Sequence, residues 1–583
     1  MLNAVGPGLK DCFAREFPEN LERNAQHTPE NDRSTYSAGP AETLPRMTGT
    51  NQGSKSTEVS SIPSLVTTPN ESSHRTAEAH RFIQNELEQN DGMAQDRQNV
   101  LKSALDFVAR FSHPSLDSQP NPNFLDTEED LQSGSTAPEL LYMMLPGTFD
   151  AHEADSKTFH WPDHITGPTL QRMLLYLIDN EGNDQIALHY RVCVYSKAFF
   201  FLMKSPRPHH NNPICQRLKQ SQREYKRVAL ASLSRLPFLS SPSLSLVQAL
   251  LSGAMLMQYL GNMSYSWNLT AFASRMLMAL NLHAVETADE LDDQTQASLY
   301  WCYYLDKVLS CLFVRQPSLP KLRIDPASMI PVNFANPLQT TVKIMVEMAK
   351  IQEEVLDMQL NQGVVTDRSR VDAIIISADS LLMRIKETRS SVSPEFQLDF
   401  DAAEFGHAAV LANVFKCSQW SSVYQHRCLE SARKALTVLA AMLDREDQQS
   451  DTADQYPSFL TWTVLLYPLT PYFVLFCNVV AYSHKPDFDL MRHVTESMAR
   501  FIHANEWIHK VHGLFHDFLV LCDPLMGQTF SEDMTRGESE FLPDEGANMG
   551  AGSAEESLIW ELFASQPSLD WFDVPSFRDS LSN

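Results

Sequence analysis

Between residues 246 and 260 the chain reads LVQALLSGAMLMQYL, which is apolar on almost every side when wound as a helix. Such a helix has no face to give to water and must be enclosed by other elements. The neighbouring sequence is helical too. From Ser266 one segment places Leu269, Phe272, Met276 and Leu280 on one face, and the next places Trp301, Leu305, Val308 and Leu312 on another. Further helical segments begin near Pro337, Arg370, Glu404, Phe459 and Asp489. Alternating strand patterns are scarce, no fixed-period repeat is visible, and 20 glycines are few for a turn-rich barrel or sandwich. These features predict an all-α protein built on one large multi-helix domain over residues 137–525.

The flanks differ in character. Residues 1–76 are rich in Ser, Thr, Asn and Pro and poor in large apolar side chains, so burial cannot offset the entropy of ordering and the segment is expected to be disordered. Residues 77–112 form a predicted helical hairpin: Ile83 pairs with Leu87, Asp91-Gly92 breaks the pattern, and Leu101, Leu105 and Val108 resume it. A turn-rich, acidic linker follows over 113–136. Residues 526–583 form an acidic tail, expected to be disordered, in which twelve Asp and Glu from Glu532 onward stand against Arg536 and Arg578.

A formal net charge of −26 repels phosphate backbones and argues against broad, direct nucleic-acid binding. The nine cysteines are scattered without a C-x-x-C pair, which predicts reduced thiols and neither a disulfide framework nor a structural zinc site. No signal peptide is expected from the N-terminus, which lacks a basic start and an apolar run. Residues 459–483 carry no charge and are long enough to cross a bilayer, yet Pro468, Pro471, Asn478 and the lack of basic flanks favour a buried helix broken near the prolines.

Two stretches carry a family likeness. Residues 267–283, WNLTAFASRMLMALNLH, set Arg275 among small and apolar residues and end in Leu282-His283. Residues 291–319, LDDQTQASLYWCYYLDKVLSCLFVRQPSL, bring Tyr300-Trp301, then Tyr304 and Asp306. Together they resemble the fungal-specific transcription factor domain, the middle homology region of zinc-cluster regulators, and the resemblance spans most of residues 77–525. The pattern departs at Val314-Arg315-Gln316-Pro317, where the family usually has a glycine before the arginine, and at Gln294, Gln296 and Ser298, which replace frequent basic residues. The resemblance implies a nuclear regulator, activating a pathway-specific, for instance secondary-metabolite biosynthetic, gene set. Family members typically begin with six zinc-binding cysteines, whereas here only Cys12 precedes Cys193. DNA contact is therefore expected through a zinc-cluster module missing from this sequence or through a partner, either a DNA-binding protein or a second copy of the chain. Zinc is expected only with such a module, and no other cofactor is implied.

Several constellations were weighed against plainer readings. In the tail, Trp560, Leu562, Phe563, Leu569, Trp571, Phe572 and Phe577 are held among carboxylates, which keeps the aromatics available to apolar grooves of transcription coactivators. The alternative is that they dock back on the helical body. Arg275 and Asp306 sit in otherwise apolar helices and are expected to form a buried structural ion pair. Lys204, Arg207, Arg217, Lys219, Arg223, Lys226 and Arg227 read as a solvated helix face before a phosphate-binding patch or nuclear import signal. His509, His512 and His516 share a helical face but offer three ligands from one element, a weak basis for zinc. Asp292-Asp293 lacks the further acids an aspartate-rich magnesium motif needs, and no P-loop, G-x-S-x-G, H-E-x-x-H or glycine-rich dinucleotide turn occurs. The chain is read as a regulator and not an enzyme or a membrane protein; the competing reading is an all-α scaffold or ligand-binding protein without promoter activity.

Overall fold

The computed structural model describes residues 163–532 apart from 180–183, 205–212, 238–239, 332–336, 361–367, 393, 418–421, 450–458, 461–465, 468 and 503–505, together with 99–100, 102–103 and 141. The predicted disordered segment 1–76, the linker 113–136 and residues 533–583 of the tail lie outside the described residues, while residues 526–532, expected to belong to the disordered tail, are helical. So does the predicted hairpin, except for Asn99, Val100, Lys102 and Ser103, which are helical. Among the described residues the expected all-α architecture holds, with thirteen α-helices and no strand. In chain order they are α1 (Gly167–Asp179), α2 (Gln185–Lys204), α3 (Pro213–Leu233), α4 (Leu244–Tyr259), α5 (Met263–Ala279), α6 (Asp293–Phe313), α7 (Pro337–Leu360), α8 (Arg368–Ser391), α9 (Gln397–Cys417), α10 (Ser422–Gln449), α11 (Leu469–Tyr482), α12 (Lys485–Met498) and α13 (Glu506–Glu532).

The all-round apolar stretch becomes α4, buried continuously from Leu246 to Gln258. Ser243 starts it by accepting a hydrogen bond from the Leu246 amide at 3.3 Å. Its end is set by Gly261 in the left-handed region, with the Asn262 amide donating to the Met257 carbonyl at 2.9 Å. Around α4 pack α2, α3, α5 and α6. Gly253 lets α3 and α5 close in, since a Cβ there would stand 2.6 Å from a Leu233 methyl.

Helix α6 ties this first group to the rest, because it packs on α4 and α5 and also on α7, which leads into α8 and α9. Its interior burial includes a lysine: Lys307 is 1% exposed. The ammonium donates to the Leu319 carbonyl at 2.6 Å and lies 3.1 Å from Glu353 on α7 and 3.3 Å from Asp306. Asp306 in turn accepts from the backbone amides of Ser318 at 2.9 Å and Leu319 at 3.1 Å. Two adjacent buried charges thus fasten the segment that leaves α6 and the helix that follows it.

This arrangement corrects the expected pairing of Arg275 with Asp306. Arg275 is exposed, because the buried positions of α5, Leu269, Thr270, Ala273 and Leu277, lie on the other side of that helix. The partner of Asp306 is its own sequence neighbour. Asp292, weighed above as part of a metal motif, is the N-cap of α6 and accepts from the Thr295 amide at 3.0 Å.

The second group, α7 to α13, is organised around α11, which packs against α9, α10, α12 and α13. Residues 472–477 and 479–481 are buried, so much of the uncharged stretch 459–483 is core helix within the protein. Tyr472 stacks on Phe515 with ring centroids 3.7 Å apart, and its hydroxyl meets Thr495 at 2.8 Å and the Phe515 carbonyl at 3.1 Å. Buried carboxylates here are met by half-exposed cations: Arg389 and Arg445 hold Asp401 at 2.6 and 2.7 Å, Lys434 holds Glu404 at 2.9 Å, and Arg433 grips Asp487 at 2.8 and 2.9 Å. Among the described helices, residues Gln185–Met203 of α2 have the length and mean hydropathy of a bilayer span, and half of that stretch is buried against neighbouring helices.

Val314 ends α6 with φ 51° and ψ 47°, the left-handed region, while the Arg315 amide donates to Ser310 O at 2.9 Å. A β-branched side chain is strained there. Val314→Gly is expected to stabilise the protein by about 0.5–1 kcal/mol, the relieved ~1–2 kcal/mol of left-handed strain less the extra chain entropy of glycine. Lys307→Met, which leaves Asp306 and Glu353 facing each other without their cation, is expected to cost about 3–5 kcal/mol. Urea denaturation of the two variants reads both effects.

Candidate functional site

The early turns of α1, α4 and α6 do not close on one another completely. They leave a cleft of about 140 Å³ lined by Thr169, Arg172 and Met173 of α1, Tyr190 of α2, Leu244, Ser245 and Gln248 of α4, and Gln294 of α6. One wall is polar and pre-arranged. Arg172 donates through Nη2 to Thr169 Oγ1 at 3.1 Å and Gln294 Oε1 at 3.2 Å, and the Thr169 hydroxyl donates to the same Gln294 oxygen. Thr166 adds a donor to Thr169 at 3.0 Å. No carboxylate among the described residues pairs with the Arg172 guanidinium, which is exposed at the cleft.

The floor is Gln248, 2% exposed, whose side-chain Nε2 is buried with no hydrogen-bond partner among the described residues. Its backbone carbonyl is fixed by His164 Nε2 at 3.1 Å. Ser245 stands beside it, its hydroxyl 3.0 Å from His189 Nδ1. Burial pulls the His189 pKa below the ordinary imidazole value, against the opposing pull of Asp184.

Behind the cleft lies a supporting network. His164 Nε2 also meets Ser252 Oγ at 2.8 Å, its Nδ1 faces the Asp163 carboxylate, and Asp163 pairs in turn with Lys197 of α2. Ser298 of α6 donates to the His164 carbonyl at 3.2 Å. Burial opposes the Asp163 charge, but Lys197 and His164 outweigh it and hold the carboxyl well below the usual carboxylate range. The N-terminal edge of α1, α2, α4 and α6 are thereby locked around the cleft.

The residues singled out from sequence fall elsewhere. Trp560, Leu562, Phe563, Leu569, Trp571, Phe572 and Phe577 lie outside the described residues. Arg217 and Arg223 are exposed along α3, and Lys219, Lys226 and Arg227 are half-buried on the same helix. On α13, His509 and His516 are exposed and His512 is half-buried, with a pKa lowered by burial and by the two neighbouring imidazoles. Among the described residues no three His, Cys, Asp or Glu side chains cluster to hold a metal ion, and none of the seven cysteines whose side chains are described forms a disulfide. The cleft residues carry no motif. Their one trace in the sequence is Gln248, one of two amides, with Gln258, inside the apolar stretch 246–260.

With this geometry in view, the comparison with known families is specific. Residues 169–337 match the family model described as the fungal specific transcription factor domain. That span opens at Thr169 on the cleft wall and closes at the start of α7, so it contains the cleft and all of α6. The matched span, less than a third of the chain, supports the reading of a fungal transcription regulator. No curated protein matches the chain.

The Asp163 network makes stability depend on pH in a definite direction. A carboxyl whose folded pKa is depressed contributes stability that is complete above its unfolded pKa and is lost as pH falls toward the folded one. The stability difference between the wild type and Asp163→Asn is therefore expected to be constant near neutrality and to shrink below about pH 4. Chemical denaturation of both proteins across the acid range measures it.

Proposed function

We propose that the chain acts in the nucleus as an activator of a pathway-specific gene set, secondary-metabolite biosynthesis being the kind of pathway such regulators serve. The reading rests on the joint presence of the matched domain and the acidic, aromatic tail. In it the helical body is the stable platform, and the tail recruits transcription coactivators through Trp560, Leu562, Phe563, Leu569, Trp571, Phe572 and Phe577. Short helices around residues 560–563 and 569–572 would form on contact, placing aromatics in an apolar groove while the carboxylates stay hydrated. With a net charge of −26, the chain reaches promoters through a zinc-cluster module outside this sequence or through a partner, a DNA-binding protein or a second copy. Zinc belongs to such a module, and the helical body itself needs no cofactor.

The test fuses the full chain to an unrelated DNA-binding domain upstream of a reporter. Activation is expected, and it is expected to fall to the level of the DNA-binding domain alone when Trp560, Phe563, Trp571 and Phe572 are all changed to Ala. Silence of the unaltered fusion, at equal protein level, would sink the activator reading in favour of a helical scaffold without promoter activity.

A further inference from the structure

Gln248 poses a problem of its own. A primary amide that is 2% exposed should find partners within the protein, because an unpaired buried polar group is costly. Here Nε2 has none among the described residues, and Gln248 is one of the residues that line the cleft. Across the same cleft Arg172 is held through one nitrogen by Thr169 and Gln294, both neutral, and its charge meets no carboxylate among the described residues. The remaining lining is apolar at Met173 and Leu244, aromatic at Tyr190 and polar at Ser245. An anchored cation, an orphaned donor and an apolar wall therefore converge on one small space.

We propose that this cleft binds a small organic monocarboxylate, its carboxylate between the Arg172 fork and the Gln248 amide and its apolar body against Met173, Leu244 and Tyr190. The guanidinium fork matches the two oxygens of a carboxylate in plane. One cation balances one negative charge, whereas a phosphate dianion would bring a second, unmatched charge into a protein that already carries −26. A free inorganic anion would leave the apolar wall unused. A volume of about 140 Å³ suits a small molecule. Once bound, the ligand ties α1 to α4 beside the first turn of α6.

The experiment uses the purified full-length chain with butyrate and benzoate as probes, their neutral amides butyramide and benzamide as controls, and inorganic phosphate as the competing anion. Ligand-observed NMR gives the affinities and thermal denaturation gives the shift in Tm. Butyrate or benzoate is expected to bind and raise Tm, with the amides and phosphate weaker by about tenfold or more. Arg172→Gln is expected to reduce carboxylate affinity by a similar factor. Gln248→Leu replaces the orphaned amide with an apolar group of similar size, so it is expected to weaken binding while leaving the unliganded Tm unchanged or higher. Carboxylates that bind no better than their amides, affinities unaltered in both variants, or phosphate binding more tightly than either acid would each overturn the proposal. Binding is read without transcription, so failure here leaves the activator reading standing, and a silent reporter leaves the binding result standing.

Discussion

A lysine ammonium cannot be withdrawn from water unless the protein replaces what water supplied, and Lys307 at 1% exposure is fully withdrawn. Its replacement contacts come from three places in the chain: the adjacent Asp306, the Leu319 carbonyl beyond the end of α6, and Glu353 on α7. Each can be met only if α6 is enclosed and its exit segment folds back. The consequence spreads in both directions, since α6 packs on α4 and α5 before it and on α7 after it. The left-handed Val314 is tolerated because the surrounding hydrogen bonds, from Arg315 to Ser310 and from Ser318 and Leu319 to Asp306, over-determine the turn.

Much of this architecture is legible in the sequence. The apolar stretch at 246–260 could only be a buried helix, and the segments placed at Ser266, Pro337 and Arg370 begin within three residues of α5, α7 and α8. Periodicity reports which face of a helix is apolar, and that is what those assignments needed. It does not report which charged residue meets which. Arg275 and Asp306 look alike in sequence, each a charge in an apolar helix, but one faces solvent and the other is buried beside Lys307. The lysine was the harder residue to see, because a long basic side chain at an apolar position usually reaches water. Of the cleft, only the amide of Gln248 within an apolar stretch left a trace in the sequence. The cleft residues come from four helices, and only their packing puts Arg172 and Gln294 opposite Gln248.

The matched span 169–337 holds the cleft and all of α6 with Asp306 and Lys307, while Asp163 and His164 lie just before it and Glu353 beyond it. Helices α8 to α13 lie beyond the match and are stabilised in another way, by buried carboxylates gripped from the surface by arginines and a lysine. An acidic chain can form such a body only by matching each buried acid to a specific cation. The surplus negative charge is concentrated outside it, notably beyond Glu532, where acids and aromatics alternate.

The central claim, that this helical chain works at promoters, is tested most directly by its occupancy of chromatin. The chain, tagged at its own locus, would be crosslinked in living cells and the recovered DNA sequenced beside that from an untagged strain. The account predicts enrichment at a restricted set of promoters whose transcripts fall when the gene is deleted. Recovery indistinguishable from the untagged strain under conditions where those transcripts change would contradict it.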